Sequence, residues 1–295
     1  MIELQYRKAS NLSDAAAFLR QMESPVNVLA GATNVMVDIR NKKITCGILL
    51  DISDISDISG ISIVDGTIHI GALTTIEMIA ASQLLRHEAP ALSMAANVFA
   101  DPLIRKRATV GGNLVNASPA ADMAPSLLAL DASVILRNQD KQRTMPLCEF
   151  FLAPGKTACE KDELLIAVEF APSPKSAFVK LGLRKAMAIS IATAAATLVC
   201  DMDGKIIDCR IGVGAVAPTP LRATLTERAV LSQVGNIAHM LEFCAADIEK
   251  TLLKEISPIS DIRASAEYRR QIAPVVVKRA LTSACCLREG DCHKE

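Results

Sequence analysis

The chain has 295 residues, 51% of them apolar, and its 32 basic and 32 acidic side chains leave a net charge of zero. This length is enough for one large or two smaller domains with a sizeable core, and the neutral balance argues against nucleic acid as the main partner. With no tryptophan, two tyrosines and seven phenylalanines, an aromatic surface that stacks on bases or sugars is not expected.

The first block of the chain, up to about residue 55, has the pattern of a small α/β unit. Ser13 precedes its first apolar-periodic stretch and is expected to be the helix N-cap. The elements expected there are a helix over 14–23, a strand over 26–30, a helix over 35–40 and a strand over 47–51.

A repeat of aspartate, isoleucine and serine over 51–59 leads into the second block, 56–174. Because aspartate and serine side chains cap their own backbone turns, we interpret the repeat as a polar connector. Pro172 and Pro174 then mark the end of the block, since proline disfavours a helix at the residue before it. The helices expected between these limits span residues 76–85, 91–99 and 124–130.

The third block, 175–295, begins with strands and continues with helices. Asp201-Met-Asp-Gly204 is a hairpin signal between two of the strands. The pattern predicts an antiparallel sheet of three strands with a cluster of helices, and the whole chain is therefore of the α+β class. The strands are expected over 177–183, 189–200 and 205–213, and the helices over 224–231, 236–253 and 262–287.

Two glycine-containing runs carry the strongest functional signal. The first glycine run, 29–36, follows a strand and opens a helix. The second glycine run, 108–122, joins Gly111-Gly112 to small polar side chains and Asp122. Glycines allow close approach of a ligand to the backbone, and successive N–H groups in such turns can bind an anion. The alternative for each run is an ordinary turn before a helix, with Thr33 or Asn34 as the cap of the first.

Other possible sites give weaker signals. Gly212-x-Gly214 mimics a dinucleotide fingerprint, but Pro218 and Pro220 follow where a helix would be needed. We interpret the basic run, Arg105-Lys106-Arg107, as a solvated face, with anion steering or subunit docking as alternatives. The nine cysteines and four histidines have no metal-ligand spacing, so no metal site is expected, and the thiols are expected to be reduced.

Taken together, the two glycine runs resemble those of the FAD-binding subunits of molybdenum hydroxylases, the xanthine dehydrogenase and carbon monoxide dehydrogenase group. The resemblance covers nearly the whole chain and continues through 162–166, 178–182 and 213–222. One departure is Ala32, where the family usually has a second glycine. The resemblance implies a two-subdomain FAD-binding domain of the PCMH type over 1–174, divided near residue 55, and a CO dehydrogenase flavoprotein-like C-terminal domain over 175–295.

The resemblance also implies a non-covalent FAD site, since Thr33 and Asn34 stand where covalent relatives often have histidine. Phe99 would pack near the adenine, Leu165 and Lys180 near the flavin ring, and Asp122 would bind flavin-side hydroxyls. We expect Asp122 to make only a ligand contact, so that the fold survives its loss. The residues expected to hold FAD are Leu29, Ala30, Gly31, Ala32, Thr33, Asn34, Val35, Met36, Phe99, Thr109, Val110, Gly111, Gly112, Asn113, Asn116, Asp122, Leu165 and Lys180.

The function implied is electron transfer, with no catalytic residue on this chain. A partner subunit with molybdopterin would oxidise an N-heterocycle such as a purine or nicotinate. A partner with [2Fe–2S] clusters would pass the electrons to FAD, and FAD to NAD(P) or another acceptor. The basic and apolar stretch 183–190 argues against NAD itself. The alternatives are a self-contained flavin oxidase or reductase and a flavin-free structural subunit. With no apolar signal segment or membrane-length run, the chain is expected in the cytoplasm.

Overall fold

The computed structural model describes residues 3–183, 189–202, 205–233 and 245–286. Its first unit is a parallel three-stranded sheet in the order β1-β3-β2, flanked by two helices. The helix and strand expected over 35–40 and 47–51 are confirmed. The elements of this unit are β1 (Glu3–Lys8), α1 (Leu12–Gln21), β2 (Val26–Leu29), α2 (Val35–Arg40) and β3 (Cys46–Asp51).

Two local predictions for this unit are corrected. Helix α1 begins earlier than expected, because Asn11 is its N-cap and accepts a hydrogen bond from the Asp14 backbone N–H; Ser13 lies inside the helix. The repeat over 51–59 is more than a polar connector. Its side-chain capping is confirmed at Asp51, which accepts from Ser53 N, but its three isoleucines are all buried in the core of the first unit.

The second unit is built on an antiparallel sheet with the order β4-β5-β10-β6-β7. The helix expected over 76–85 is broken, because Ser82 ends one helix and caps the next by accepting from Leu85 N. The strands are β4 (Ile61–Val64), β5 (Thr67–Gly71), β6 (Ser133–Arg137), β7 (Gln142–Pro146), β8 (Phe151–Ala153), β9 (Lys156–Thr157) and β10 (Leu164–Phe170). The helices are α3 (Ile76–Ala81), α4 (Gln83–Glu88), α5 (Pro90–Asn97), α6 (Pro102–Arg105), α7 (Val110–Val115) and α8 (Met123–Ala129).

The third unit has the three expected antiparallel strands and a short fourth edge strand, all packed against helices. The predicted helix over 236–253 lies partly outside the described residues, as do the hairpin residues 203–204 and the end of the last helix. The elements are β11 (Ser176–Gly182), β12 (Ser190–Cys200), β13 (Ile206–Gly214), β14 (Leu221–Arg222), α9 (Thr224–Gln233), α10 (Ala245–Glu255) and α11 (Ala266–Cys286).

The second and third units are in direct backbone contact. A Cβ atom built on Gly212 would overlap the carbonyl oxygen of Pro125 in α8, and one on Gly214 would lie 2.8 Å from the Pro125 ring. Gly212 is therefore explained by packing between units, and Gly214 by that packing together with the Thr193 hydroxyl of its own unit, which would lie 2.6 Å from a Cβ. Even the proline-rich segment between the units is fixed, since Ser173 is buried and its N–H donates to Glu88 O.

Within the described residues, no helix combines the length and apolar character needed to cross a membrane. The buried apolar side chains there form three clusters, one centred on each unit. The cluster of the first unit also includes Leu73, Ile135, Leu164 and Ile166 of the second unit.

Candidate functional site

A groove lined by residues of both glycine runs, the main groove, lies between the first and second units. Its volume is about 260 Å³, close to the lower end of the range of about 300–1,000 Å³ that is typical of small-molecule and cofactor sites. The expected site residues that line it are Ala30, Gly31, Ala32, Thr33, Asn34, Val35, Gly111, Gly112, Asn116 and Leu165.

The first glycine run is held against the residue that precedes the second run. A Cβ atom on Gly31 would overlap the carbonyl oxygen of Arg107, so Gly31 is required by chain packing and not only by a ligand. Ala32 has φ 58°, a left-handed conformation that suits glycine and is unfavourable for residues with a Cβ. This left-handed conformation explains why the family usually has glycine at the position. Ala32 adopts the same conformation, and its backbone is therefore strained.

The turn from Ala32 into α2 presents a row of unused donors. Within the described chain, no hydrogen bond engages the backbone N–H groups of residues 32–35. Asn34 stands at the N-cap position, but its side chain caps no N–H group there. All four residues line the main groove, and free N–H groups at the start of a helix favour an anion. This edge of the groove is therefore suited to a phosphate group.

The second glycine run differs from the expected row of free N–H groups. Val110 N donates to Thr74 O (3.0 Å), Gly111 N to Ala72 O (2.9 Å), and Gly112 N to the Thr109 side chain (3.1 Å). These donors are satisfied within the chain, so the anion-binding expectation for them is wrong. The turn serves instead to join α7 to the end of β5.

The two glycines of this run are explained by different features of the structure. A Cβ on Gly111 would lie 2.7 Å from the Ala72 Cβ, so this glycine is needed for internal packing. Gly112 is exposed, and a Cβ there would meet only the Thr109 hydroxyl, at 2.9 Å. Gly112 is thus the member of the pair that opens toward the groove. The next residue, Asn113, has a buried side-chain oxygen with no partner in the described chain.

An ion pair that sequence reasoning missed borders the main groove. The Arg143 guanidinium donates twice to the Glu163 carboxylate, at 2.7 Å each, and Glu160 N donates to it at 2.8 Å. These bonds, the one from Arg143 foremost, lower the pKa of Glu163. Burial raises the pKa of the neighbouring Cys159 thiol to about 12. The sequence feature that could have pointed to this ion pair is the acidic residue directly before Leu164 and Leu165, which is Glu163.

Asp122 lies outside the main groove, in a cluster that we call the Asp122 cluster, formed with Lys180 and Ser190. Lys180 Nζ donates to one carboxylate oxygen and Ser190 Oγ to the other, both at 2.6 Å. Burial raises the pKa of Asp122, against the effect of these two donors. The expectation that Asp122 makes only a ligand contact is therefore wrong, because its carboxylate joins α8 to β11 and β12.

The remaining expected residues do not line the main groove. Phe99 lies near the Asp122 cluster, because Lys180 Nζ also donates to the carbonyl of the preceding residue, Val98 (3.2 Å). Leu29 and Val110 are buried, whereas Met36 is half exposed. Thr109 lines a smaller second cleft beside the main groove, together with Lys106 and Arg107 of the basic run. The main-groove residues that the sequence did not single out are Val28, Ile52, Ala72, Leu73, Val115, Cys159, Glu163 and Leu164.

Comparison with known proteins adds sequence and structural matches. A family model described as the FAD-binding domain in molybdopterin dehydrogenase matches residues 2–173, and one described as the CO dehydrogenase flavoprotein C-terminal domain matches residues 177–284. The chain is 31% identical over 291 residues to the xanthine dehydrogenase FAD-binding subunit of Escherichia coli O157:H7, with 97% of each covered.

Two further matches come from carbon monoxide dehydrogenases. The chain is 32% identical to the medium chain from Afipia carboxidovorans, which covers 95% of this chain and 96% of the relative. A chain in the crystal structure of a cyanide-inactivated Cu,Mo-CO dehydrogenase superposes with a TM-score of 0.89 at 30% identity, covering 98% of this chain and 100% of that chain. The likeness therefore extends over all three units.

Proposed function

Because the chain belongs to the family of FAD-binding subunits of molybdopterin dehydrogenases, we propose that its main groove holds FAD without a covalent bond and that the chain transfers electrons. When bound, FAD supplies the redox chemistry, and the protein supplies binding, orientation and electrostatics. Molybdopterin and the iron–sulfur clusters of such complexes are on other subunits, so the residues of this chain act on FAD alone.

The observation that carries the proposal is the row of unused N–H groups over 32–35 at the edge of the main groove. A diphosphate is the anionic part of FAD and the group that such donors bind. Gly112, whose open side faces the same groove, leaves space beside it. The donors are fixed by the packing of Gly31 on Arg107, so they are in place before the ligand arrives.

The apolar part of the groove lining is suited to a flat ring. Val28, Ile52 and Leu165 give it an apolar wall, and the Glu163 carboxylate beside them is already paired with Arg143. Cofactor sites have this composition, mostly apolar with a few fixed polar groups. We place the adenine or the flavin ring against this wall, with Leu165 as a packing contact.

For the flavin-side hydroxyls we retain Asp122, in a modified role and for a part of FAD that extends beyond the main groove. Each of its carboxylate oxygens already accepts one hydrogen bond, from Lys180 or Ser190. Each oxygen has a second lone pair, so the carboxylate can also accept from a polyol without giving up these partners. Lys180 then acts as the cation that opposes the effect of burial on the pKa of the carboxylate, and Phe99 packs nearby.

In the complex, we propose that electrons enter from [2Fe–2S] clusters of one partner subunit and leave to NAD(P) or another acceptor. They would originate in a molybdopterin subunit that oxidises an N-heterocycle such as a purine or nicotinate. The name of the Escherichia coli relative, which refers to xanthine, supports a purine-like substrate. The stretch that bears on the acceptor, 183–190, lies mostly outside the described residues.

Two organisational features belong to the same proposal. We propose a domain boundary between residues 174 and 175, where the second sheet ends and the antiparallel sheet of the third unit begins. We also propose a cytoplasmic location, a compartment that keeps thiols reduced, as we expect for the cysteines of this chain.

The first test concerns the cofactor itself. Purified protein should be yellow, and acid precipitation should release all of the flavin into the supernatant as FAD. Flavin that stays in the pellet would contradict non-covalent binding. A protein that is colourless and takes up no added FAD would favour the flavin-free structural subunit.

The second test concerns electron transfer. Under anaerobic conditions, dithionite should bleach the flavin band of the isolated chain, whereas a purine, nicotinate or an aldehyde should leave it unchanged. Adding the iron–sulfur and molybdopterin subunits should make the band respond to the substrate of the complex. Bleaching by an organic substrate without those subunits would favour the self-contained flavin enzyme.

A further inference from the structure

The lining of the main groove holds an acid, although the proposed ligand is itself anionic. Among the described residues that line the groove, Glu163 is the single one with a charged side chain. The other titratable group there is the Cys159 thiol, which stays protonated because burial raises its pKa to about 12. The Glu163 side chain is 1% exposed, so solvent screens its charge little. A lone carboxylate at this position would oppose the binding of FAD, whose diphosphate is negatively charged.

Arg143 compensates the Glu163 charge from outside the groove. It lies on β7, an edge strand of the second sheet, and its side chain is not part of the groove lining. The guanidinium reaches past β6 and donates to both oxygens of the carboxylate, at 2.7 Å each, and to the carbonyl of Ala158 (2.8 Å). Planar guanidinium donors bind a carboxylate at two points, which a lysine ammonium cannot do. The pair therefore has a fixed geometry and no net charge.

The same carboxylate fastens the segment 158–163, which leads into the apolar wall at Leu165. Glu160 N donates to the Glu163 carboxylate (2.8 Å), and Glu163 N donates back to the Glu160 carbonyl (3.1 Å). The Cys159 thiol donates to the Glu163 carbonyl (3.4 Å). The acid is thus held at the edge of the wall by contacts on both sides, and its position there is defined before a ligand binds.

The charges around Glu163 make Arg143 its main partner. The hydrogen bonds from Arg143 are the largest effect on the pKa of Glu163 and lower it, and Lys141, in the turn between β6 and β7, adds a weaker attraction. Glu160 and Asp162, two acids of the same segment, have the same sign of charge as Glu163. Loss of Arg143 would therefore leave the carboxylate with one weaker cationic partner and two acidic neighbours.

We propose that Arg143 is a positioning residue of the FAD site, which acts through Glu163 to make the wall of the main groove electrically neutral. This inference rests on the proposed function. With the guanidinium in place, an uncharged ring can pack beside Leu165 without removing water from a free carboxylate. Without it, packing of the ring would bury an unpaired charge, and that charge would also repel the diphosphate. Arg143 thereby sets the affinity for FAD without touching it.

The test compares FAD binding by two variants of the full-length chain freed of flavin. Arg143→Met leaves the carboxylate unpaired, whereas Arg143→Met with Glu163→Gln removes both charges. The control is Leu85→Ala, which shortens a fully buried side chain of the same unit that does not line the groove and changes no charge. Dissociation constants for FAD are measured by fluorescence from about pH 8 to about pH 5, and melting temperatures are recorded for each variant.

The single variant, Arg143→Met, should bind FAD about tenfold or more weakly than the wild type at neutral pH. The difference should shrink as the pH falls towards about 5, because a protonated Glu163 carries no charge. The double variant should bind FAD within about threefold of the wild type and should lack this pH dependence. Leu85→Ala should have a lower melting temperature but the pH profile of the wild type.

Two results would overturn the role of Arg143. One is a single variant whose FAD affinity stays within about threefold of the wild type over the whole pH range. The other is a double variant that binds FAD as weakly as the single variant, since Arg143 would then only hold the segment in its fold. If Arg143→Met alone does not fold, the double variant still decides, because it must fold and bind FAD within the same limit. A wild-type chain that binds no FAD would instead overturn the proposed function.

Discussion

Ala32 shows how a single side chain bears on stability at the site. Its φ of 58° is a conformation that disfavours residues with a Cβ by roughly 1–2 kcal/mol. Glycine would relieve that strain. Part of the resulting increase in the free energy of unfolding would be lost, because glycine has a larger conformational entropy in the unfolded chain. We therefore predict that Ala32→Gly raises the free energy of unfolding by about 0.5–1 kcal/mol, as measured by urea denaturation.

A control separates backbone strain from a general effect of glycine. Ala15 is a fully buried residue inside α1, where glycine is unfavourable by about 1 kcal/mol before any loss of packing. Ala15→Gly should therefore lower the midpoint of unfolding, opposite in sign to Ala32→Gly. If both variants are destabilised, the left-handed conformation of Ala32 is not a source of strain.

The Asp122 cluster gives a second prediction at the residue scale. Asp122→Ala would leave the Lys180 ammonium, whose side chain is 9% exposed, without its carboxylate. Breaking a buried ion pair from one side destabilises by about 3–5 kcal/mol, so Asp122→Ala should be strongly destabilised in urea. Adding Lys180→Met removes the unpaired charge and should restore much of the loss. A double variant that is as unstable as the sum of the two single variants would contradict this coupling.

At the scale of elements, the Arg143–Glu163 pair joins β7 to the segment before β10 and makes stability depend on pH. The pKa of Glu163 is lowered in the folded chain, chiefly by Arg143. Such a group contributes stability above its unfolded pKa, and this contribution is lost as the pH falls through its folded pKa. Glu163→Gln should therefore lose stability at neutral pH relative to the wild type, and the difference should shrink below about pH 4.

The measurement for this pair is the free energy of unfolding in urea across that pH range. Arg143→Met provides a check from the other partner and should flatten the same part of the profile. Curves for wild type and Glu163→Gln that run parallel from neutral to acidic pH would show that the ion pair makes no pH-dependent contribution.

Secondary structure near the glycine runs could largely be predicted, because its signals are local. The apolar strand before Gly31 and the helix over 35–40 follow from periodicity and turn residues in the sequence. The N-cap of α1 was harder to predict from the sequence. Asn11 and Ser13 are both residue types that cap helices well, and only the backbone conformation decides between them. The buried isoleucines of the 51–59 repeat were also missed, because their neighbours are polar and the packing partners are distant in sequence.

The sequence predicted part of the lining of the main groove, but not the structural reasons for its glycines. The resemblance to a flavin subunit family is confirmed, and most of the first glycine run lines the main groove. Sequence alone could not distinguish Gly111, which packs on Ala72, from Gly112, which faces open space. Nor could it find Arg143, which reaches Glu163 from a different strand. These features depend on long-range contacts that no local pattern encodes.

At the scale of the whole molecule, the chain is held together by contacts that also shape the site. Ala215 N donates to the carbonyl of Pro119 (2.7 Å), inside the second glycine run. Arg269, buried in α11, donates to the carbonyls of Ala215 (2.6 Å) and Ile191 (2.9 Å). These hydrogen bonds from the third unit fix the segment that carries Asp122. They can form because the backbone at Gly212 lies close to the Pro125 carbonyl of α8.

We therefore predict that Gly212→Ala separates the third unit from α8 and impairs both stability and cofactor retention. Its Cβ would overlap the Pro125 carbonyl, a backbone atom that cannot turn aside. Overpacking of this kind destabilises by about 1–3 kcal/mol, and displacement of β13 would also draw Ala215 away from Pro119. Urea denaturation should report the destabilisation, and dialysis should remove more flavin from the variant than from the wild type. A control is Ser176→Ala, which removes the hydroxyl that accepts from Ala91 N (3.3 Å) at another contact between the units, on a strand that does not pair with β13. If Ser176→Ala loses flavin as readily as Gly212→Ala at equal stability, general loosening of the two units, and not the position of the Asp122 segment, governs retention.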